Sequence, residues 1–121
     1  MRPDRRPEQR AKDIKDYIRN IRDLLDGRSL NEIGRDTMKR AALERFLEVI
    51  SEASRHLPKA WKDDHAQIPW QRIADIGNVL RHAYTAVDLS ILWGIYERDL
   101  SALEVAVDAM LATYATKDDR P

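Results

Sequence analysis

The tightest constraint on this chain's fold is a helical repeat near its C-terminus. Leu89, Leu92, Trp93, Tyr96, Leu100, Leu103, Val107, Met110, Leu111 and Tyr114 recur mostly by threes and fours. That spacing lines one face of a long amphipathic helix, whereas a half-buried strand would alternate at every second residue. Asp88 stands where the N-cap of this helix belongs. A helix so apolar along one side folds stably only when other elements cover that side.

The rest of the chain supplies them. Ile14, Tyr17, Ile18, Ile21, Leu24 and Leu25 make a three-turn stripe that stops at Gly27, a C-cap residue. From Ile33 to Leu57 a wider arc (Met38, Ala42, Phe46, Val49, Ile50 and Ala53, with Leu43 and Leu47 beside it) predicts a central helix covered on more than one side and ended by Pro58. The stretch from Pro58 to Pro69 reads as polar and irregular. Pro69-Trp70 then opens a fourth helix, with Ile73, Ile76, Leu80 and Tyr84 on its inner stripe. No segment alternates in the manner of a strand. The expected fold class is all-α, a helical bundle of four main helices. Its expected domain spans residues 10–115, between a flexible basic N-terminus at 1–9 and a tail at 116–121.

Composition narrows the function. The 121 residues suit one domain with one core, and 43% of them are apolar. Charged residues reach 35%, above the usual quarter, which fits helices with one ion-paired, solvated face. Lys+Arg and Asp+Glu are 21 each, so the chain does not hold nucleic acid by bulk charge, although a local basic cleft remains open. The absence of cysteine excludes disulfides, thiol catalysis and thiolate metal sites. No run approaches the ~18 apolar residues of a membrane span. The first residues, MRPDRRPEQR, lack the apolar core of a secretory signal. A cytoplasmic protein without membrane association is expected.

One constellation carries chemistry: Gly77-Asn78-Val79-Leu80-Arg81-His82-Ala83-Tyr84. Helical spacing puts Asn78 and His82 one turn apart on one face. Histidine shuttles protons near neutral pH, and arginine forks onto phosphate oxygens. The pair suits phosphodiester cleavage, in which a 2′-hydroxyl loses its proton and charge builds on the phosphoryl group. By itself the segment reads first as a helix end with a solvated Arg and a His bonded to a carbonyl, and only second as a catalytic pair. Other candidates are weaker. His56, His65 and His82 lack metal-ligand spacing, and Asp63-Asp64 is a short acidic turn. The basic cluster Arg2, Arg5, Arg6, Arg10 and Lys12 reads as a solvated start with phosphate contact as the alternative. Tyr17 and Trp61 read as packing residues before base-stacking ones.

Longer segments add a resemblance. They are Ala42-Leu43-Glu44-Arg45-Phe46-Leu47-Glu48-Val49-Ile50-Ser51-Glu52-Ala53, then Ile68-Pro69-Trp70-Gln71-Arg72-Ile73-Ala74, then Asn78 to Tyr84, then Val87-Asp88 and a Trp-containing last helix. In this order and spacing the chain, from about Arg10 to Tyr114, resembles the HepT-like branch of the HEPN superfamily. The resemblance implies a helical toxin of a toxin–antitoxin pair that dimerises around a composite cleft and cleaves RNA without a metal or other cofactor. It implies an MntA-like nucleotidyltransferase antitoxin that silences the toxin by adding AMP to the tyrosine of the His-x-Tyr element. Carried over by position, His82 is the catalytic histidine, Asn78 the polar residue after the motif arginine, and Tyr84 the AMP acceptor. Tyr84 is then expected to be accessible at the cleft mouth.

The sequence departs from the family at one place. The motif arginine belongs five residues before the histidine, where Gly77 stands, and Arg81 immediately precedes His82. In one reading the arginine has migrated. Gly77 and Arg81 share a stripe, and long helical side chains lean toward the N-terminus, so Arg81 would lay its guanidinium over a glycine that offers no obstruction. An arginine restored at position 77 would then replace Arg81. In the other reading catalysis is lost and a binding or partner-recruiting module remains. Gly inside a helix costs up to about 1 kcal/mol against Ala, so close packing across a dimer or room for Arg81 is the expected reason for it.

Overall fold

A computed structural model describes residues 6–81 and 89–115. The first helix, α1, runs from Pro7 to Leu25 and reaches back into the basic N-terminal segment, with Pro in its first turn. Asp26 caps it, and Gly27 follows with φ of 76°, a left-handed value that suits glycine.

The long arc predicted from Ile33 to Leu57 is two helices. A short α2, Leu30–Arg35, begins at a reciprocal capping box between Ser29 and Glu32. The central helix α3, Thr37–Arg55, starts at Asp36, whose carboxylate accepts from the backbone N–H groups of Met38 and Lys39 at 3.1 Å each. That cap divides the arc and leaves Met38 83% exposed, outside the core. The inner face of α3 is Leu43, Leu47, Ile50, Ser51, Ala53 and Ser54, while Phe46 and Val49 are only half-buried. In the polar stretch after Pro58 a one-turn helix, α4, Lys59–Asp63, forms.

The helix α5, Trp70–Arg81, opens as expected after Pro69, whose carbonyl accepts from the Ile73 N–H. Its buried residues are Ile73, Ile76 and Gly77. The C-terminal repeat forms a continuous helical rod: α6 (Leu89–Gly94), a π-helical segment (Ile95–Leu100), α7 (Ser101–Met110) and a second π-helical segment (Leu111–Ala115). The first π-segment adds Ile95 and Asp99 to the buried side. Asp99, 4% exposed, receives Arg72 of α5 through two hydrogen bonds of 2.6 and 3.2 Å.

The result is an all-α bundle in which α1, α3, α5 and the C-terminal rod are the four main helices. The core is aliphatic: Ile14, Ile18 and Ile21 of α1 meet Leu43, Leu47 and Ile50 of α3 and Leu103, Val107 and Met110 of α7. Around its edge, Lys15 pairs with Asp108 at 2.8 Å and Arg22 pairs with Glu104, tying α1 to α7. Trp61 stacks on Tyr114 at 4.3 Å, with the Tyr114 hydroxyl donating to Asp64, so Trp61 is a packing residue. Among the described residues, no helix is long and apolar enough to cross a membrane. Asp88, expected as an N-cap, lies outside the described residues.

Candidate functional site

The site is built where α5 crosses α3. Ser51, buried on α3, donates its hydroxyl to the Ala74 carbonyl at 2.8 Å and accepts from the Gly77 N–H at 2.9 Å. One side chain thus clamps a full turn of α5. Ser54, also buried, donates to the Ser51 carbonyl at 2.7 Å within α3. A β-carbon placed on Gly77 would stand 2.8 Å from Ser51 Oγ and 3.2 Å from Ser51 Cβ. Glycine is therefore required here by the close approach of α3.

The same imaginary β-carbon would stand 3.3 Å from Nη1 of Arg81. Arg81 is exposed, and its guanidinium folds back one turn over Gly77, the direction expected of a long helical side chain. Room for Arg81 is thus present, and the close packing found at this glycine is within the chain, against Ser51, where the sequence suggests packing across a dimer. The clamp also tells against placing an arginine at position 77, because any side chain there displaces Ser51.

Arg81 borders a polar groove of about 440 Å³ that lies over α3 and is walled by α1. Its lining includes Arg10 and Tyr17 of α1 and Arg45, Glu48 and Glu52 of α3. Glu48 accepts from Arg45 at 2.7 Å. Glu52 is bonded to His56 at 2.9 Å. That hydrogen bond, aided by the charges of Arg55 and Arg81, holds the Glu52 carboxyl below the usual carboxylate range. Asn78 is exposed on α5, one turn before Arg81, and is not among the residues lining the groove. His82 and Tyr84 lie outside the described residues. What the described part presents is a forked cation at the end of a helix, over a groove with carboxylates already engaged, an arrangement able to receive a phosphate oxygen.

A second groove of about 200 Å³ lies on another side of α5. It is apolar, lined by Ile76, Val79 and Leu80 with Ile91, Leu92 and Ile95, and Val79 and Ile91 are 54% and 56% exposed. Sequence reasoning missed Ser51 and the Arg72–Asp99 pair, and it reached Arg10 only as one of a basic cluster whose alternative reading is phosphate contact. A serine within the apolar arc of α3 was the available sign of a close helix crossing, but only the fold shows that it faces Gly77. No group of His, Asp and Glu among the described residues is arranged to hold a metal ion.

Comparison with known proteins gives a consistent picture. The family model described as "Ribonuclease HepT-like" matches residues 14–110. The chain is 33% identical to "Putative RNase TTE0752" of Caldanaerobacter subterraneus subsp. tengcongensis, covering 70% of this chain and 76% of that one. It is 32% identical to "Probable ribonuclease HepT" of Thermococcus cleftensis, covering 74% and 88%. "Putative RNase MJ1380" of Methanocaldococcus jannaschii is 29% identical, with 81% and 84% covered. No solved structure matches the chain.

Proposed function

Because the chain belongs to the HepT-like ribonuclease family, we propose that it is an RNA-cleaving toxin whose motif arginine has moved from position 77 to Arg81. The observation that carries this reading is the fold-back of Arg81 over Gly77, with Nη1 3.3 Å from the place of the missing β-carbon. The guanidinium returns toward the turn from which the family's arginine would extend.

In the proposed reaction His82 accepts the proton of a ribose 2′-hydroxyl as that oxygen attacks the adjacent phosphorus. The bond from phosphorus to the 5′-oxygen breaks, and that oxygen takes a proton from the histidine. The products are a 2′,3′-cyclic phosphate and a 5′-hydroxyl. Arg81 holds the charge that builds on the phosphoryl oxygens, and Asn78 orients the substrate or one of these groups. A symmetric homodimer brings two such sites to one cleft, and the apolar groove at Val79, Leu80 and Ile91 is the surface we assign to it. AMP attached to Tyr84 by an MntA-like nucleotidyltransferase antitoxin would place a phosphate beside Arg81 and occupy the site. The reading places the protein in the cytoplasm.

The alternative is a HEPN binding module without catalysis. It is favoured by one observation, that the position of the motif arginine is filled by the Ser51–Gly77 contact. The two separate in one experiment. Protein purified free of antitoxin is assayed for RNA cleavage in chelator, beside His82→Ala. Cleavage that His82→Ala abolishes supports the toxin, and an intact substrate at every concentration supports the binding module. Co-expression with a neighbouring nucleotidyltransferase should add the mass of AMP to the peptide that contains Tyr84, and an unchanged mass refutes that step.

A further inference from the structure

We infer that the groove between α1 and α3 binds the nucleotide next to the cleaved bond, with Arg10 as its phosphate contact and the Tyr17 ring as its base platform. The inference rests on the ribonuclease reading above and extends its substrate site to a helix that reading does not use.

Arg10 belongs to the basic N-terminal cluster, yet it is not a solvated start. It sits in the first turn and a half of α1, half-buried, and lines the same groove as Arg81. Its Nε is buried without a hydrogen-bond partner. A buried guanidinium nitrogen without a partner is unfavourable unless a ligand or water completes it. The acids around it are committed elsewhere. Glu48 is held by Arg45 at 2.7 Å, Glu52 by His56 at 2.9 Å, and Asp13 accepts from Gln9 at 2.9 Å. Two guanidiniums, Arg10 and Arg81, therefore remain to face an anion across α3.

Tyr17 lies two turns further along α1. The ring meets Phe46 in a T-shaped contact at 5.6 Å, which fixes the ring, while the residue stays half-buried on the groove. A fixed aromatic in a groove that also presents cations is the arrangement by which single-stranded nucleic acid is held without sequence preference. The groove's size, about 440 Å³, falls at the small end of the ~300–1,000 Å³ typical of ligand sites. It has room for a nucleotide and none for a duplex. Arg10, Arg45 and Arg81 are balanced by Asp13, Glu48 and Glu52, so recognition here depends on two placed contacts and not on a broad positive field.

The test uses the full chain and a fluorescein-labelled single-stranded RNA of about ten nucleotides, within the usual range of site sizes. A 2′-O-methyl version of the same strand, which lacks the attacking hydroxyl, reports binding alone. Arg10→Ala should raise KM roughly tenfold and leave kcat near the parent's value. It should weaken the 2′-O-methyl strand by the same factor and flatten the salt dependence of binding by about 0.7 in log–log slope, one phosphate's worth. Arg10→Lys should recover part of the loss. Tyr17→Phe should bind as the parent does, and Tyr17→Leu should bind less well, with thermal melting used to separate binding from folding. An unchanged KM and salt slope in Arg10→Ala, with the parent active, overturns the groove and leaves the nuclease standing. A parent that binds the strand through Arg10 but never cleaves it overturns the nuclease and leaves the groove. A parent that neither binds nor cleaves overturns both.

Discussion

The molecule contains two glycine–arginine pairs of the same spacing, Gly77–Arg81 on α5 and Gly94–Arg98 on the C-terminal rod. In both, the guanidinium folds back one turn and covers the glycine. A β-carbon on Gly94 would stand 2.8 and 3.0 Å from Nη1 and Nη2 of Arg98. The difference is what stands opposite. Gly94 meets only the far end of a flexible side chain, whereas Gly77 meets Ser51 of the neighbouring helix. Arg98 borders the apolar groove, and Arg81 borders the polar one. One sequence pattern thus yields two exposed, folded-back cations, one over a glycine whose nearest contacts are the arginine itself and one over a glycine clamped by Ser51 of a neighbouring helix. The spacing alone does not distinguish them.

The largest expected difference is catalytic. Arg81→Ala should lower RNA cleavage by roughly 10²–10³, because a charged donor aimed at developing charge is commonly worth ~2.7–4 kcal/mol. The loss should match that of His82→Ala in direction, persist at every protein concentration, and leave the melting temperature near the parent's. Cleavage by Arg81→Ala at the parent's rate ends the idea that the arginine has migrated.

The two grooves should differ in how concentration acts on them. Ile91→Glu puts a charge on the apolar groove and should weaken the proposed dimer by roughly tenfold or more, since a buried Ile contributes about 1.5–3 kcal/mol. Cleavage by this variant should fall on dilution and return as protein is added, in step with light scattering. A parent that is monomeric at micromolar concentration removes the dimer, and with it the role assigned to that groove.

Stability should separate the glycines themselves. Gly77→Ala forces a β-carbon against Ser51 and should cost about 1–3 kcal/mol from overpacking, only partly offset by the better helix propensity of Ala. Gly94→Ala displaces only a guanidinium and should be neutral or stabilising by up to about 1 kcal/mol. Melting temperatures measured side by side should move in opposite directions by a few degrees, at about 2–8 °C per kcal/mol for chains near this size. Pairing Gly77→Ala with Ser51→Ala should recover part of the loss, since the nearest obstructing atom is then gone. Equal shifts for the two glycines would show that the clamp at Ser51 is not tight.

Much of this architecture was legible in the sequence, for reasons specific to each element. The stripes of α1 and the C-terminal rod follow from apolar spacing, and Gly27 marks the end of α1 in the left-handed conformation it needs. The division of the second arc was also written there, in Ser29 with Glu32 and in Asp36 before Thr37. Apolar periodicity that carries across a cap conceals it, and Met38 was counted with the core for that reason. Asp99 was not legible. Its burial depends on a π-helical turn that shifts the facing residues, and on Arg72 arriving from another helix. The candidate site divides in the same way. The fold-back of Arg81 is a local property of a helix and follows from spacing, whereas Ser51 and Arg10 reach it through the packing of α3 against α5 and α1. His82 and Tyr84 follow from the family pattern of the His-x-Tyr element.

The smallest difference between the two pairs is electrostatic, and pH should expose it. Arg81 has a carboxylate in its surroundings, Glu52, whose pKa is lowered chiefly by the His56 hydrogen bond, and further by Arg55 and Arg81. A carboxyl whose folded pKa lies below its unfolded value stabilises the fold above the unfolded value, near 4.5, and that contribution fades as pH falls through the lowered one. Glu52 is largely exposed, so solvent screening keeps the effect small. Melting curves of the parent and Glu52→Gln should therefore differ slightly at pH 6, with the parent the more stable, and converge as pH falls through the lowered value. Raising the salt concentration should shrink the gap at pH 6, because part of it is the charge of the neighbouring arginines. A gap that ignores both pH and salt would mean that Glu52 acts by packing alone, with no electrostatic part from Arg81.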